Sequence, residues 1–182
     1  MSDASYAVWR LNLVGSDEPS VGPTLVAMSH VVLPYFDARF VNDDDFGDLV
    51  AAMDRWVVAQ DMSTVQAVRD RLLHVADERE QRPHLSMPFD PAYLPLIATP
   101  LAATTPGEFA GDAIVAAANY IVCDYGEERT LCAERCVRSA EATVSYAIGN
   151  RSDEETDVNL WELAQQKFRQ SVESELVKLS AT

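Results

Sequence analysis

The residues best placed to do chemistry lie on one near-apolar stretch. In "FAGDAIVAAANYIVC" (109–123), Asp112, Asn119 and Cys123 are spaced seven and four positions apart, so on a helix they form a single stripe. A carboxylate, an amide and a thiol facing neighbouring helices could anchor a small molecule held between them. Tyr120 beside the stripe and Arg135 from the following segment would complete such a pocket. A structural reading competes with it. A carboxylate buried in a helical cluster needs a cationic partner, and Arg135 or Arg138 could supply one. The spacing predicts a structural polar seam ahead of a ligand pocket.

Other constellations point less clearly to chemistry. Cys132 and Cys136 share a helix face, and Cys123 lies on the preceding segment. Three thiolates and a histidine could bind zinc. However, no pair of cysteines has the short-loop spacing of such sites, and His30, His74 and His84 are far away in sequence. The cysteines read as small core residues, and neither metal nor cofactor is expected. His74 follows Asp70 by four positions and precedes Asp77 and Glu78. An Asp–His pair at that spacing can orient an imidazole for proton transfer, but on a polar helix face it reads as a solvated ion pair. The chain carries no phosphate loop, dinucleotide fingerprint, HExxH or GxSxG, and it has only seven glycines. No residue is therefore assigned a catalytic role, and enzymatic activity is the less favoured expectation.

"VNDDDFGDLV" (41–50) looks like a metal loop. An EF-hand needs oxygen ligands at positions 1, 3 and 5, glycine at 6 and glutamate at 12. With Gly47 at position 6, Phe46 falls at 5 and Met53 at 12. A helix start explains the residues better, with Asp45 as N-cap and carboxylates near the positive end of the helix dipole. Asp43, Asp44, Asp45 and Asp48, with Asp153, Glu154, Glu155 and Asp157 of "RSDEETD", form two acidic clusters.

The chain of 182 residues carries 29 acidic and 14 basic side chains, a net charge of −15. Such a surface repels phosphate backbones and anionic lipid, which disfavours nucleic acid and membrane as partners, and it attracts basic proteins. Only Lys167 and Lys178 are lysines, a bias that fits GC-rich bacterial coding. The start "MSDASYAVWR" does not read as a secretory signal. The longest apolar stretch is interrupted by Asp112 and Asn119, unlike a membrane span. An odd number of cysteines argues against a disulfide framework, so a reducing cytoplasm is expected.

The elements that must hold these residues are helical. Residues 1–22 are expected as an N-terminal arm, because "YAVWRLNLV" could be extended or an early helix. The helical domain is expected over 23–182. Thr24 is a candidate cap for a helix to about residue 40, with Leu25, Met28, Val32 and Phe36 on one side and Pro34 kinking or splitting it. Phe46, Leu49, Val50, Met53, Trp56 and Val57 predict a second helix. Ser63 and Gln66 suggest a capping box for a third, carrying Val65, Val68, Leu72, Val75 and Ala76. Pro83, Pro88, Pro91, Pro95, Pro100 and Pro106 mark a proline-rich crossing. Thr105-Pro106-Gly107-Glu108 then opens a helix apolar on nearly all sides. Val137, Ala140, Val144 and Ile148 predict the next helix. Trp161, Ala164, Phe168, Val172, Leu176 and Leu179 predict the last. The expected fold is all-α, a single-domain irregular or antiparallel bundle of about six main helices.

Three stretches carry a family resemblance: "YFDARFVNDDDFGDLVAAMDRWV", "FAGDAIVAAANYIVCDYGEERTLCAERCVRSAEATVSYAIGN" and "NLWELAQQKFRQSVESELVKL". Their order and spacing resemble the uncharacterised all-helical bacterial family catalogued as domain of unknown function 416. The likeness covers roughly residues 24–180. It implies a compact helical fold in a cytoplasmic bacterial protein and carries over no site residue. Taken with the charge, the expectation is a non-enzymatic acidic module that binds a protein, in concrete form an immunity or antitoxin-like protein masking a basic partner. A small-molecule binder or enzyme using the Asp112/Asn119 stripe is the alternative. A homodimer using Trp56 or Trp161 is a third.

Overall fold

The structure is a computed structural model that describes residues 2–15, 18–40, 44–81, 106–124, 126–149 and 158–181. Every element among the described residues is a helix: α1 (Ser2–Gly15), α2 (Val21–Arg39), α3 (Asp45–Ala59), α4 (Met62–Gln81), α5 (Pro106–Val122), α6 (Gly126–Gly149) and α7 (Val158–Ser180). The architecture is all-α, with seven helices where about six were expected. The proline-rich crossing falls outside the described residues over 82–105, and its last proline, Pro106, opens α5.

The additional helix is α1. Residues expected as an arm wind into a helix because Tyr6, Trp9 and Leu13 recur at helical spacing and find a surface to cover. Tyr6 and Leu13 are buried. The Trp9 ring meets Phe168 of α7 edge-on at 6.3 Å. The Tyr6 hydroxyl donates to Glu141 Oε1 of α6 at 2.7 Å. α2 begins at Val21, within the last two residues of the stretch expected as the arm.

Three helix starts differ from expectation. Thr24 does not cap α2. It lies buried inside the helix, where its hydroxyl donates to the Ser20 carbonyl at 2.7 Å. Asp45 is the first helical residue of α3 rather than its cap, and Asp44 before it makes no side-chain cap bond. Asp61, not Ser63, caps α4. Its Oδ1 accepts the Thr64 amide at 2.9 Å and the Ser63 hydroxyl at 2.8 Å, which satisfies an orphan donor of the first turn. The backbone bond to Thr64, then the two hydroxyls, hold the Asp61 carboxyl below its usual range. Gln66 turns away to Asp70. Pro34 does not split α2, which runs unbroken to Arg39.

α5 lies at the centre and packs against α2, α3, α4 and α6. All its residues from Phe109 to Ile121 are buried, because alanines and glycines on its surface let neighbours approach closely. Gly107 shows how closely. A Cβ there would collide with the Arg39 side chain and lie 3.1 Å from the Tyr35 carbonyl oxygen. The cross-helix contacts fix helix directions. Asp112 meets Ser139, and Phe109 stacks near Tyr146 at 5.1 Å. Rising numbers on α5 therefore pair with falling numbers on α6, as in an antiparallel hairpin. The same logic makes α3 and α4 antiparallel, with Asp48 against Arg71 and Asp45 against His74. Phe36 of α2 packs on Phe46 of α3 at 4.0 Å and on Phe40 at 4.8 Å, closing the turn between those helices.

Candidate functional site

The candidate seam is built on the α5–α6 hairpin. Asp112 is 1% exposed, and both its carboxylate oxygens are occupied. Arg135 Nε donates to Oδ1 and Oδ2 at 3.0 Å each, and Arg135 Nη2 adds a third bond to Oδ1. The Ser139 hydroxyl donates to Oδ2. Arg135 and Ser139 are four apart on α6, so one helix face delivers both donors to one acid. Thr143, one turn further, returns its hydroxyl to the Ser139 carbonyl at 2.9 Å. Of the two arginines considered, Arg138 faces outward and pairs with Glu134.

The rest of the proposed stripe does not join this cluster. Asn119 is buried but donates to the Val115 carbonyl of its own helix at 2.9 Å. Tyr120 lies under the Arg129 guanidinium, 5.5 Å from its ring centroid. The sequence stripe is real as geometry, but its members serve separate partners. Ser139 was missed. Its signal was a small polar residue one turn after Arg135 on a helix otherwise apolar inward.

Asp45 and Asp48 lie on the first turn of α3 and face α4. Asp45 Oδ1 is 3.3 Å from His74 Nε2, and Asp48 Oδ2 is 3.2 Å from Arg71 Nη1. The partner of His74 is therefore an acid from another helix, while Asp70, expected beside it, accepts from Gln66 at 2.7 Å. Asp44 is exposed. Asp43, Asp153, Glu154, Glu155 and Asp157 lie outside the described residues, as does the Trp161 side chain.

Two polar clusters had no sequence expectation. His30 Nε2 of α2 meets Asp54 Oδ1 of α3 at 2.7 Å. That hydrogen bond, opposed by partial burial, raises the histidine pKa above its ordinary value. Glu141 of α6 accepts both Tyr6 and, at 3.0 Å, Arg10 Nε. Burial first, and Glu141 second, push the Tyr6 hydroxyl well above its usual pKa. The cavity beside this cluster, bounded by Tyr6, Glu141, Val144 and Ala164, holds only about 10 Å³, room for about one water.

Cys123 follows the last residue of α5, and Cys132 and Cys136 lie one turn apart on α6. Cys132 and Cys136 are fully buried, and Cys123 is half-buried. Burial raises the Cys136 thiol, and the nearby Asp112 charge adds to the effect. Among the described residues, no group of three or more histidines, cysteines and acids is arranged to hold a metal ion. No described helix is long and apolar enough to cross a membrane.

No protein-family model, curated protein or solved structure matches the chain. The resemblance to the domain of unknown function 416 family rests on the three quoted stretches.

A different acidic surface emerges from the helix ends. A Cβ on Gly22 would lie 2.5 Å from the Trp56 ring and 3.4 Å from Tyr120. The start of α2 and the ends of α3 and α5 therefore meet at one end of the protein. Within a few residues of those ends, Glu18, Asp61, Asp124, Glu127 and Glu128 are all exposed. Val58 and Met62 beside the α3–α4 turn are 65% and 77% exposed. Trp56, considered for a dimer contact, is half-buried and packs beside Gly22.

Proposed function

We propose that this protein is a non-enzymatic acidic binding module whose partner is a protein with a basic surface. The observation that carries the reading is the end where α2, α3 and α5 meet. Five exposed carboxylates there accompany the exposed apolar side chains of Val58 and Met62. Apolar contacts with a charged surround are the usual anatomy of a protein interface. The net charge of −15 would speed encounter with a cationic partner. An immunity or antitoxin-like role, masking a basic partner in a bacterial cytoplasm, is the concrete form, and three free thiols suit that reducing compartment. The quoted family resemblance points the same way on fold and setting.

The alternative pocket along Asp112, Asn119, Tyr120 and Arg135 has less support. A ligand would have to displace Arg135 or Ser139 from a buried carboxylate already bonded to both. The binding reading is tested by co-expressing the protein with the products of genes flanking its own. A basic product should co-purify. Its association rate should fall about tenfold or more between about 50 and 500 mM salt, and Asp124→Asn with Glu127→Gln should slow it further. Association indifferent to both salt and these substitutions defeats the proposal.

A further inference from the structure

Building on the binding reading above, we propose that the groove between α6 and α7, which α1 fills, is a docking site for an arginine-bearing amphipathic helix of the basic partner. α1 packs mainly on those two helices, and its side chains show what the groove accepts. Tyr6 and Leu13 are buried, and the Trp9 ring meets Phe168 of α7 edge-on at 6.3 Å. Tyr6, Trp9 and Leu13 are three and four positions apart, the spacing of anchors on a helix laid into a groove. Val144 of α6 and Ala164 of α7 line the small cavity beside Tyr6, so the walls are largely apolar.

One charge interrupts that lining. Glu141 of α6 is largely buried, and its Oε1 accepts the Tyr6 hydroxyl at 2.7 Å and Arg10 Nε at 3.0 Å. Both donors come from α1. A helix that replaced α1 without supplying a donor would strand this carboxylate, which is costly. A helix with arginine in the same register restores a charge-assisted bond. Glu141 therefore selects a cationic helix over a merely apolar one. The α1 of a second copy would match the groove in shape, but two chains of net charge −15 repel each other, whereas a basic protein is drawn in.

α1 is held lightly enough to be displaced. It leaves Val8 and Leu11 exposed on its outer face, whereas α5 is buried from Phe109 to Ile121. Elements with few buried apolar contacts open first, and a helix of 14 residues has little stability of its own once undocked. α1 also leads within a few residues to exposed Glu18, so the groove runs toward the end where α2, α3 and α5 meet. A basic helix attracted to the carboxylates there arrives beside the groove. While α1 occupies it, apparent affinity falls by the fraction of chains whose groove is open.

The experiment uses the full chain and, as probe, a fluorescein-labelled Ser2–Gly15 peptide followed by anisotropy. The chain's own α1 competes in wild type, so binding should be weak. Trp9→Ala in the chain loosens that helix and should tighten peptide binding about tenfold or more. Arg10→Ala, at a half-exposed position, should act in the same direction and serves if the first variant does not fold. A peptide with Arg10→Glu should lose affinity for either variant. A folded variant that takes the peptide no better than wild type overturns the proposal, as does equal binding of the Arg10→Glu peptide. A wild-type dimer that Arg10→Ala returns to monomer would hand the groove to a second copy and also overturn it. Peptide capture supports the groove even where no basic product co-purifies. A basic product that co-purifies without peptide capture keeps the binding reading and overturns the groove.

Discussion

The α5–α6 and α3–α4 hairpins use the same device at opposite degrees of burial. Each is an antiparallel helix pair joined by a short turn, and each ties an aspartate on its first helix to an arginine on its second. Across α5–α6 the pair is Asp112–Arg135, exposed by 1% and 7%. Across α3–α4 it is Asp48–Arg71, exposed by 55% and 46%. Inside, two charges taken from water must be matched by several bonds, and Asp112 receives them from Arg135 and Ser139. Outside, water competes for both partners, and the pair contributes little. His30–Asp54 lies between these limits at 27% and 34%. The same Asp–Arg pairing thus has different consequences in the two hairpins, set by where packing places it.

The comparison is most sharply broken at Asp112. Asp112→Ala strands a buried guanidinium and should cost about 3–5 kcal/mol in chemical denaturation. Replacing the set together, with Asp112→Leu, Arg135→Met and Ser139→Ala, should restore most of that loss, because no charge is left unpaired. A single substitution costing no more than a surface change would refute the structural seam. Loss of a ligand with stability intact would instead revive the pocket reading.

Close packing in the α5 hairpin gives the next effect. Gly107→Ala places a methyl against Arg39 and the Tyr35 carbonyl, and should destabilise by about 1–3 kcal/mol despite the better helix propensity of alanine. The same change at Gly47, where nothing lies within 4 Å of the added atom, should stabilise or be neutral. Equal melting shifts at the two glycines would erase the contrast.

For His30 the sign follows from its raised pKa. The hydrogen bond to Asp54 is the main cause, opposed by burial, with Glu175 raising and Lys178 lowering it from α7. A folded pKa above the ordinary 6.5 means the proton is bound more tightly in the native state. The stabilisation is complete below that ordinary value and fades as pH rises through the folded one. The effect should stay below about 1 kcal/mol, since both partners meet solvent. His30→Gln should flatten stability between about pH 6 and 8, and an unchanged slope would remove the pair from the account. The smallest effect belongs to Asp48–Arg71. A double-mutant cycle with alanine at both positions should give a coupling of about 0.2–1 kcal/mol, shrinking with added salt.

Much of this was legible because helical periodicity is a local property. The inward positions Leu25, Met28, Val32 and Phe36, or Val68, Leu72 and Val75, recur every three or four residues and are buried as expected. α1 was ambiguous because Val8 and Leu11, both exposed, blur the stripe of Tyr6, Trp9 and Leu13. Helix starts slipped where several capping residues stand together. Asp61, Ser63 and Thr64 can each cap, and the choice depends on how the turn after Gln60, left-handed at φ 49°, presents them. His74 had acids nearby in sequence at Asp70 and Asp77, yet its partner is Asp45. Ion pairing between helices depends on which faces pack, and neighbours in sequence do not record that.

The sequence by itself determined the helical class, the positions of most helices, the central place of the small, apolar α5 and the need of Asp112 for a cation. These follow from periodicity, side-chain size and the cost of burying charge, all of which act within a short window of chain. Tertiary structure alone decided that Arg135 and Ser139 meet Asp112 and that Asp45 and Asp48 face α4. Those outcomes depend on the rotation and direction of whole helices about one another, which only the packing of the complete core sets.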